Sequence, residues 1–208
     1  MDTIMVKNLI KNAYSKIAES YQASYSEIDE QDWQHWETFI SACVGHKVLD
    51  MGCGTGDATR YLLKRGVFPC GIDFSDGMLN IAKTQDNSII WIRGDVCNCP
   101  FPDYSFKGIV VSYTINHLNE EMLNRLKAEV DRLLVEKGML LVVYHVGIDE
   151  EIRSDPLDDS VSIYYHYFQR EYLDRLFYNY ETVDFYQRKS MDPTELVNDK
   201  AMITYIKR

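Results

Sequence analysis

The chain has 208 residues, of which 46% are hydrophobic and 26% charged, an ordinary composition for a globular protein with one full hydrophobic core. Its 32 acids against 22 lysines and arginines give a net charge of −10, so it lacks the basic character typical of nucleic-acid-binding proteins. The sequence also shows five scattered cysteines, no basic N-terminal segment leading into an apolar core, and no apolar run near ~18 residues, which predicts reduced thiols, no signal peptide and no membrane span.

Apolar residues at helical spacing between residues 4 and 22 predict an amphipathic N-terminal helix. A second helix is predicted over residues 31–44, where Gly45 is a plausible C-terminal stop. Its apolar side carries Trp33, Trp36, Phe39, Ile40 and Cys43. Core packing is the favoured interpretation of these aromatic residues.

Residues 48–57 predict a buried strand, a glycine loop and the start of a helix. Three spaced glycines let the backbone turn sharply and approach a ligand closely, although a tight turn without a ligand is the alternative. The dinucleotide fingerprint G-x-G-x-x-G requires glycine where this chain has Asp57. Asp50 and Asp57 flank the loop and would repel a pyrophosphate, whereas an amine and a sulfonium would be tolerated. The loop therefore favours S-adenosylmethionine over NAD.

This stretch resembles the first motif of class I S-adenosylmethionine-dependent methyltransferases, hydrophobic-hydrophobic-D-x-G-x-G-x-G. The resemblance implies an α/β fold with a doubly wound, mostly parallel seven-stranded sheet and an N-terminal helical lid. It also implies that the cofactor loop consists of Asp50, Met51, Gly52, Cys53, Gly54, Thr55 and Gly56. Tyr14 and Tyr21 match the family's Y-x-x-x-A-x-x-Y lid element, although both could equally serve only to pack the helix.

Two further strands end in acids that match the family's cofactor ligands. Residues 67–73 predict the second strand, and the resemblance makes Asp73 the acceptor for the ribose hydroxyls. In the next helix it implies cofactor contacts from Phe74 and from Met78, which is otherwise an ordinary helix-face residue. Residues 89–93 predict the third strand, after which Asp95 would bind the adenine amine beside Val96. An isolated Gly-Asp pair would be merely a turn.

The fourth strand, predicted over residues 108–112, leads into a stretch that decides between acceptor classes. It lacks the N/D-P-P-Y/F/W motif of DNA N-methyltransferases and resembles the V-S-x-x-x-x-H-L of small-molecule methyltransferases. The resemblance places Ser112 and Tyr113 at the cofactor. His117 is the candidate general base, with a turn or capping role as the alternative. Cys97 and Cys99 lack a second ligand pair, so no zinc site or other metal site is predicted.

The remaining elements complete the predicted sheet. Asn119 caps a helix that Lys137 and Gly138 would end, and residues 139–144 form the fifth strand. Residues 147–166 are predicted as a solvated charged loop, or else as a substrate rim that includes Tyr165. The acids between residues 149 and 159 hint at a cationic acceptor. A helix over residues 168–178 and strands over residues 182–187 and 201–206 follow.

The expected function is methyl transfer from S-adenosylmethionine to an oxygen or nitrogen atom of a small molecule, with S-adenosylhomocysteine as product. We expect one domain over residues 1–208, comprising a cap at 1–44, a cofactor core at 46–146 and a variable part, loop, helix and strand pair, at 147–208. We also expect a cytoplasmic monomer or homodimer with no nucleic-acid or membrane partner. The alternatives are a methyltransferase acting on RNA or protein, and a cofactor-binding regulatory subunit without activity.

Overall fold

A computed structural model describes residues 1–25, 34–189 and 199–208. The predicted second helix is partly outside this range, because residues 31–33, including Trp33, are not described. The helices are α1 Thr3–Tyr25, α2 Glu37–Cys43, α3 Asp57–Lys64, α4 Asp76–Gln85, α5 Glu120–Leu133 and α6 Arg170–Leu176, with 3₁₀ turns at Gln34–Trp36 and Thr114–His117. The strands are β1 Lys47–Met51, β2 Phe68–Asp73, β3 Ile90–Arg93, β4 Phe106–Ser112, β5 Leu134–His145, β6 Glu150–Asp155, β7 Asp158–His166, β8 Tyr180–Arg188 and β9 Lys200–Lys207.

Seven strands form the central sheet in the order β3-β2-β1-β4-β5-β9-β8. In this order the first five strands, β3, β2, β1, β4 and β5, pair in parallel, and β9 runs antiparallel to both of its neighbours, β5 and β8. The predicted doubly wound, mostly parallel seven-stranded sheet is therefore confirmed. The strand order reverses between β1 and β4, and ligands of such sheets bind beyond the strand ends at this point.

The sheet is buried on both faces because successive side chains of a strand point to opposite sides. On one face, Leu49 and Ile109 pack with α5 and α6. On the other face, Val48 and Val110 pack with α2 and α3. Each such aliphatic side chain contributes about 1.5–3 kcal/mol when fully buried, so this alternation holds β1 and β4, and the loops that follow them, in place.

The boundary between α5 and β5 differs from the prediction that the helix continues to Lys137. The helix ends at Leu133, and Leu134 already pairs with Phe106 of β4. Lys137 has a positive φ of 57°, which no helix interior accommodates. The prediction failed because Leu134 continues the helical spacing of apolar residues. Only its pairing with β4 shows that this residue is in a strand and not in the helix.

The variable part is not the loop predicted for residues 147–166, because β6 and β7 form an antiparallel hairpin there. Val161, Ile163 and Tyr165 alternate along β7 and pack against Ala13 and Ile17 of α1. This period-two pattern is what a strand with one buried face requires. The density of acids before it concealed the pattern in the sequence.

Helix α1 lies between this hairpin and α4. Gly77 of α4 permits the close approach, since a Cβ there would lie 3.0 Å from the carbonyl oxygen of Ser15. Lys16 pairs with Asp158 of β7 at 2.9 Å. Within the described residues, none of the helices combines the length and apolar character needed to cross a membrane. The N-terminal helix thus bridges α4 and the hairpin.

Candidate functional site

A cavity lies beneath α1 at the carboxyl ends of β1, β2 and β4, where the strand order reverses. The predicted site residues that line it are Tyr14, Tyr21, Gly52, Gly54, Asp73, Phe74, Met78, Asp95, Val96, Ser112, Tyr113 and His117. The structure adds Lys7, Ile10, Gly94, Thr114, Leu118 and Met122, which the sequence analysis did not single out. Six predicted residues are not among those that line it: Asp50, Met51, Cys53, Thr55, Gly56 and Tyr165.

The cavity is small, about 100 Å³. Ligand pockets commonly measure ~300–1,000 Å³, so this one lies below the usual range. Helix α1, which belongs to neither sheet, supplies four of the lining residues: Lys7, Ile10, Tyr14 and Tyr21.

The glycine loop is clamped to the end of β4. Gly52 adopts φ +77°, and a Cβ there would lie 2.1 Å from Thr114 Oγ1. That hydroxyl donates to the carbonyl oxygen of Met51 at 2.9 Å. The first glycine is therefore required both by its left-handed conformation and by the approach of Thr114. The loop and the β4 end consequently form one rigid floor.

Asp73 binds the loop from the neighbouring strand. Its Oδ2 accepts from the Gly54 amide at 3.0 Å, and its Oδ1 accepts from the Ser75 amide at 2.8 Å. Burial raises the pKa of Asp73, while these backbone hydrogen bonds lower it. In a phosphate-binding loop, backbone amides such as that of Gly54 donate to the ligand, whereas here the Gly54 amide donates to the Asp73 carboxylate. The cradle suits a ligand that donates hydroxyls and carries no pyrophosphate.

Each of the two acids expected to repel a pyrophosphate is engaged by a partner beside the glycine loop. Asp50 lies behind the loop, where it accepts from the Thr59 hydroxyl at 2.6 Å and burial raises its pKa to about 7. Asp57 pairs with Arg60 at 2.5 Å. Its charge is thus balanced on the outer side of the loop. Asp50 and Asp57 flank the loop as predicted but are not among the described residues that line the cavity, whose carboxylates are those of Asp73 and Asp95.

Asp95 is held between its own turn and α1. Its Oδ1 accepts from the Cys97 amide at 2.9 Å, and its Oδ2 accepts from Lys7 Nζ at 2.6 Å. Lys7 was missed because the search of α1 followed apolar and aromatic residues. A search for one cavity-facing side would have found it, since Lys7, Ile10 and Tyr14 are spaced by three and four residues.

Tyr14 and His117 meet at another part of the cavity wall. Tyr14 Oη lies 2.7 Å from His117 Nε2, and His117 Nδ1 lies 2.9 Å from the carbonyl oxygen of Tyr164. A carbonyl only accepts, so Nδ1 carries the hydrogen and Nε2 accepts from the tyrosine hydroxyl. Burial lowers the pKa of His117 to about 4 and raises that of Tyr14 well above its ordinary value. Both groups are therefore neutral near pH 7.

Two further aromatic residues support this corner. The Tyr165 ring lies 5.0 Å from the His117 ring and outside the described lining of the cavity, so it backs the histidine. Tyr113 lines the cavity with φ +56°, an uncommon conformation for a residue with a Cβ, and its ring packs against His145. Strain of this kind persists where the surroundings hold a side chain in position.

The hairpin acids are engaged outside the cavity. Glu151 accepts from the Tyr167 hydroxyl at 2.8 Å, Glu150 accepts from the Tyr164 hydroxyl, and Asp158 pairs with Lys16. None of the acids at residues 149–159 is among the described residues that line the cavity. The hint of a cationic acceptor, which was drawn from those acids, loses its basis.

Comparison with known proteins finds similar methyltransferases. A family model described as a methyltransferase domain matches residues 48–138. A demethylmenaquinone methyltransferase of Renibacterium salmoninarum is 28% identical over 62% of this chain and 55% of its own length. An uncharacterized methyltransferase of Oceanobacillus iheyensis is 31% identical over 62% of each chain. The chain thus spans a little over half the length of these relatives.

Solved structures share the fold. A SAM-dependent methyltransferase of Methanosarcina mazei is similar with a TM-score of 0.70 at 19% identity, over 78% of this chain and 92% of that chain. The 1,6-didemethyltoxoflavin-N1-methyltransferase of Burkholderia thailandensis, with its substrate and S-adenosylhomocysteine bound, gives 0.77 at 13% identity, over 100% of this chain and 91% of that chain. Over residues 48–138 the chain thus matches a methyltransferase-domain family model, and its fold is similar to that of S-adenosylmethionine-dependent methyltransferases.

Proposed function

We propose that the protein transfers a methyl group from S-adenosylmethionine to an oxygen or nitrogen atom of a small molecule. The observation that carries this proposal is the single cavity that brings Asp73 and Asp95 together with Tyr14 and His117 beneath α1. The first two can hold a nucleoside, and the second two can face a reacting group. The wall formed by α1 can exclude water from the space between them.

The residues present fit this cofactor. Asp73 would accept from the ribose hydroxyls, and Asp95 would accept from the adenine amine, while Met78 and Val96 offer apolar surface to the ring. When bound, the cofactor supplies a methyl group whose leaving group is a neutral thioether. The chain therefore needs no nucleophile of its own, and its residues bind, orient and dehydrate the reactants.

A small acceptor is favoured by how closed the site is. At the wall formed by α1, Ala13 and Ile17 pack on Ile163 of β7, so that the described residues cover this side of the cavity. The names of two similar proteins state small molecules as acceptors, which supports the same class. Among the described residues, no group of three or more His, Cys, Asp or Glu could hold a metal ion.

Calorimetry with S-adenosylhomocysteine tests the cofactor part of this proposal. Asp73→Asn removes one of the two oxygens that hold Gly54 and Ser75, and we expect binding at least tenfold weaker, about the loss of one hydrogen bond to a charged group. Asp86→Asn is the matched control, because part-exposed Asp86 lies outside the cavity lining and makes the same kind of turn, accepting from the Ser88 amide at 2.8 Å. Equal affinities for both variants would contradict the assignment of Asp73.

A metabolite extract incubated with methyl-deuterated S-adenosylmethionine tests the acceptor class. We expect a mass shift in a low-molecular-weight compound that depends on the enzyme. Label in the RNA or protein fraction alone would establish the macromolecular alternative instead. Tight cofactor binding with no label in any fraction would leave the protein as a cofactor-binding subunit.

A further inference from the structure

We propose that the Tyr14 hydroxyl, held in one orientation by His117, receives the proton of the methyl acceptor, and that this acceptor is an uncharged aromatic hydroxyl compound. The inference rests on the proposed methyl transfer and deepens it, since it names the chemistry of the acceptor and the route of its proton. The direction of one hydrogen-bond chain, the commitments of the charged residues and the surroundings of His117 support it.

The hydrogen-bond chain has a fixed direction. The carbonyl oxygen of Tyr164 accepts from His117 Nδ1, so Nε2 must accept from the Tyr14 hydroxyl. The hydroxyl hydrogen of Tyr14 is thereby committed to His117, and its oxygen presents only lone pairs to the cavity. A group that binds to this oxygen must donate a hydrogen. A hydroxyl does so, whereas a carbonyl, an ether or a thioether does not.

The charged residues that line the cavity are committed to other partners. Lys7 and Asp95 pair with each other at 2.6 Å, and Asp73 accepts from two backbone amides. The part of the wall around Tyr14 offers aromatic rings from Tyr21 and Tyr113. Among the described residues, the carboxylates whose charges act on Tyr14 are those of Asp155 and Asp73, and Asp155 already accepts from the Leu157 amide at 2.8 Å. An ammonium group has no lone pair with which to attack. An uncharged ring bearing a hydroxyl matches both the rings and the lone pairs.

His117 is surrounded by groups that keep it neutral. The titratable groups that face it are Tyr14 from α1, Tyr165 from β7, Arg153 from β6 and His145 from β5. Burial, assisted by the charge of Arg153, lowers the pKa of its ring to about 4 despite the opposing hydrogen bond to Tyr164. A base this weak does not ionise a phenol before reaction. It does take the proton of an oxygen that is already being methylated, since that proton is far more acidic than an imidazolium.

The step balances as follows. The acceptor oxygen forms a bond to the methyl carbon while the bond from that carbon to sulfur breaks, and its electron pair stays on sulfur. The acceptor proton moves to Tyr14 Oη as the proton of Tyr14 moves to His117 Nε2. Tyr14 ends as it began, and His117 ends as an imidazolium whose low pKa lets it lose the proton to water. Tyr14 is thus the catalytic residue of the pair, and His117 is the positioning residue.

The test uses two probes that differ only in the hydrogen: 4-nitrophenol, which can donate it, and 4-nitroanisole, which cannot. Each is titrated by absorbance into the full chain saturated with S-adenosylhomocysteine, at a pH where the phenol is un-ionised. We expect Tyr14→Phe to weaken binding of 4-nitrophenol about fivefold, the loss of one hydrogen bond, and to leave 4-nitroanisole within twofold. Tyr167→Phe is the control, because its hydroxyl bonds Glu151 outside the cavity lining.

A second readout addresses His117 itself. Imidazole ¹⁵N spectra should show the hydrogen on Nδ1 and none on Nε2 at pH 6–8, and Tyr14→Phe should shift the Nε2 resonance while Nδ1 stays. A hydrogen on Nε2 would overturn the proposal, as would an equal loss of both probes in Tyr14→Phe. If one of these tests fails while the wild type binds S-adenosylhomocysteine normally, only the proposed proton transfer through Tyr14 is rejected. If the wild type does not bind S-adenosylhomocysteine at all, the proposed function is rejected.

Discussion

The substitution Gly52→Ala tests whether Thr114 clamps the glycine loop. The alanine must keep φ +77°, which costs about 1–2 kcal/mol for a residue other than glycine. It would also lie 2.1 Å from Thr114 Oγ1, and moving that side chain costs about 1–3 kcal/mol of overpacking and about 1 kcal/mol for its hydrogen bond to Met51. We therefore expect a loss of about 3–6 kcal/mol in the free energy of unfolding.

The matched control is Gly45→Ala. Gly45 has φ +75°, and a Cβ there would meet nothing within 4 Å, so only the conformational cost of about 1–2 kcal/mol applies. Urea denaturation of both variants measures the difference, which should be about 2–4 kcal/mol. In the double variant Gly52→Ala/Thr114→Ala, the clash is reduced to the Thr114 Cβ at 2.9 Å, and at least ~1 kcal/mol should return. Equal losses for the two single variants would refute the clamp.

Three further predictions concern helix α1 and the buried histidine. Lys7→Met should tighten S-adenosylhomocysteine binding up to about fivefold in calorimetry, because it frees Asp95 Oδ2 and a part-exposed ion pair is worth at most about 1 kcal/mol; weaker binding would contradict this. Gly77→Ala should speed amide hydrogen exchange in α1 but not in α4, because its Cβ would lie 3.0 Å from the carbonyl oxygen of Ser15 and push α1 away. Unchanged exchange in α1 would show that the two helices accommodate the methyl group without loosening α1. Burial lowers the pKa of His117 from 6.5 to about 4, so between these pH values the unfolded chain binds one more proton than the folded chain, and the free energy of unfolding falls as the pH falls. In urea titrations between pH 7 and 5, the free energy of unfolding of His117→Asn should therefore fall less than that of the wild type. An equal fall in both proteins would assign the loss to other groups.

The parallel strands were predictable because burial on both faces leaves a direct mark in the sequence. Ile109, Val110 and Val111 form a continuous β-branched run, and the structure buries all of them. The hairpin left a weaker mark, because only alternate residues of β7, such as Val161 and Ile163, face α1. The acids beside them gave the stretch the composition of a loop.

The candidate site was predictable at the level of residue identity and not at the level of contacts. Asp73, Asp95 and His117 follow strands whose ends meet, so their presence in one cavity could be expected from topology. The bond between Tyr14 and His117 joins residues 103 positions apart. It depends on how α1 packs on β7, which spacing along the chain does not determine. The same holds for Lys7, whose partner lies 88 positions away.

One face of α1 carries Lys7 at one point and Tyr14 two turns further on, so a single helix contacts both the Asp95 carboxylate and the His117 ring. Any ligand that moves this helix therefore changes both contacts at once. If donor binding raises the affinity for the acceptor by some factor, acceptor binding must raise the affinity for the donor by the same factor. The helix thus links the occupancies of the two substrates thermodynamically, and the direction in which the first ligand moves it sets the sign of the coupling.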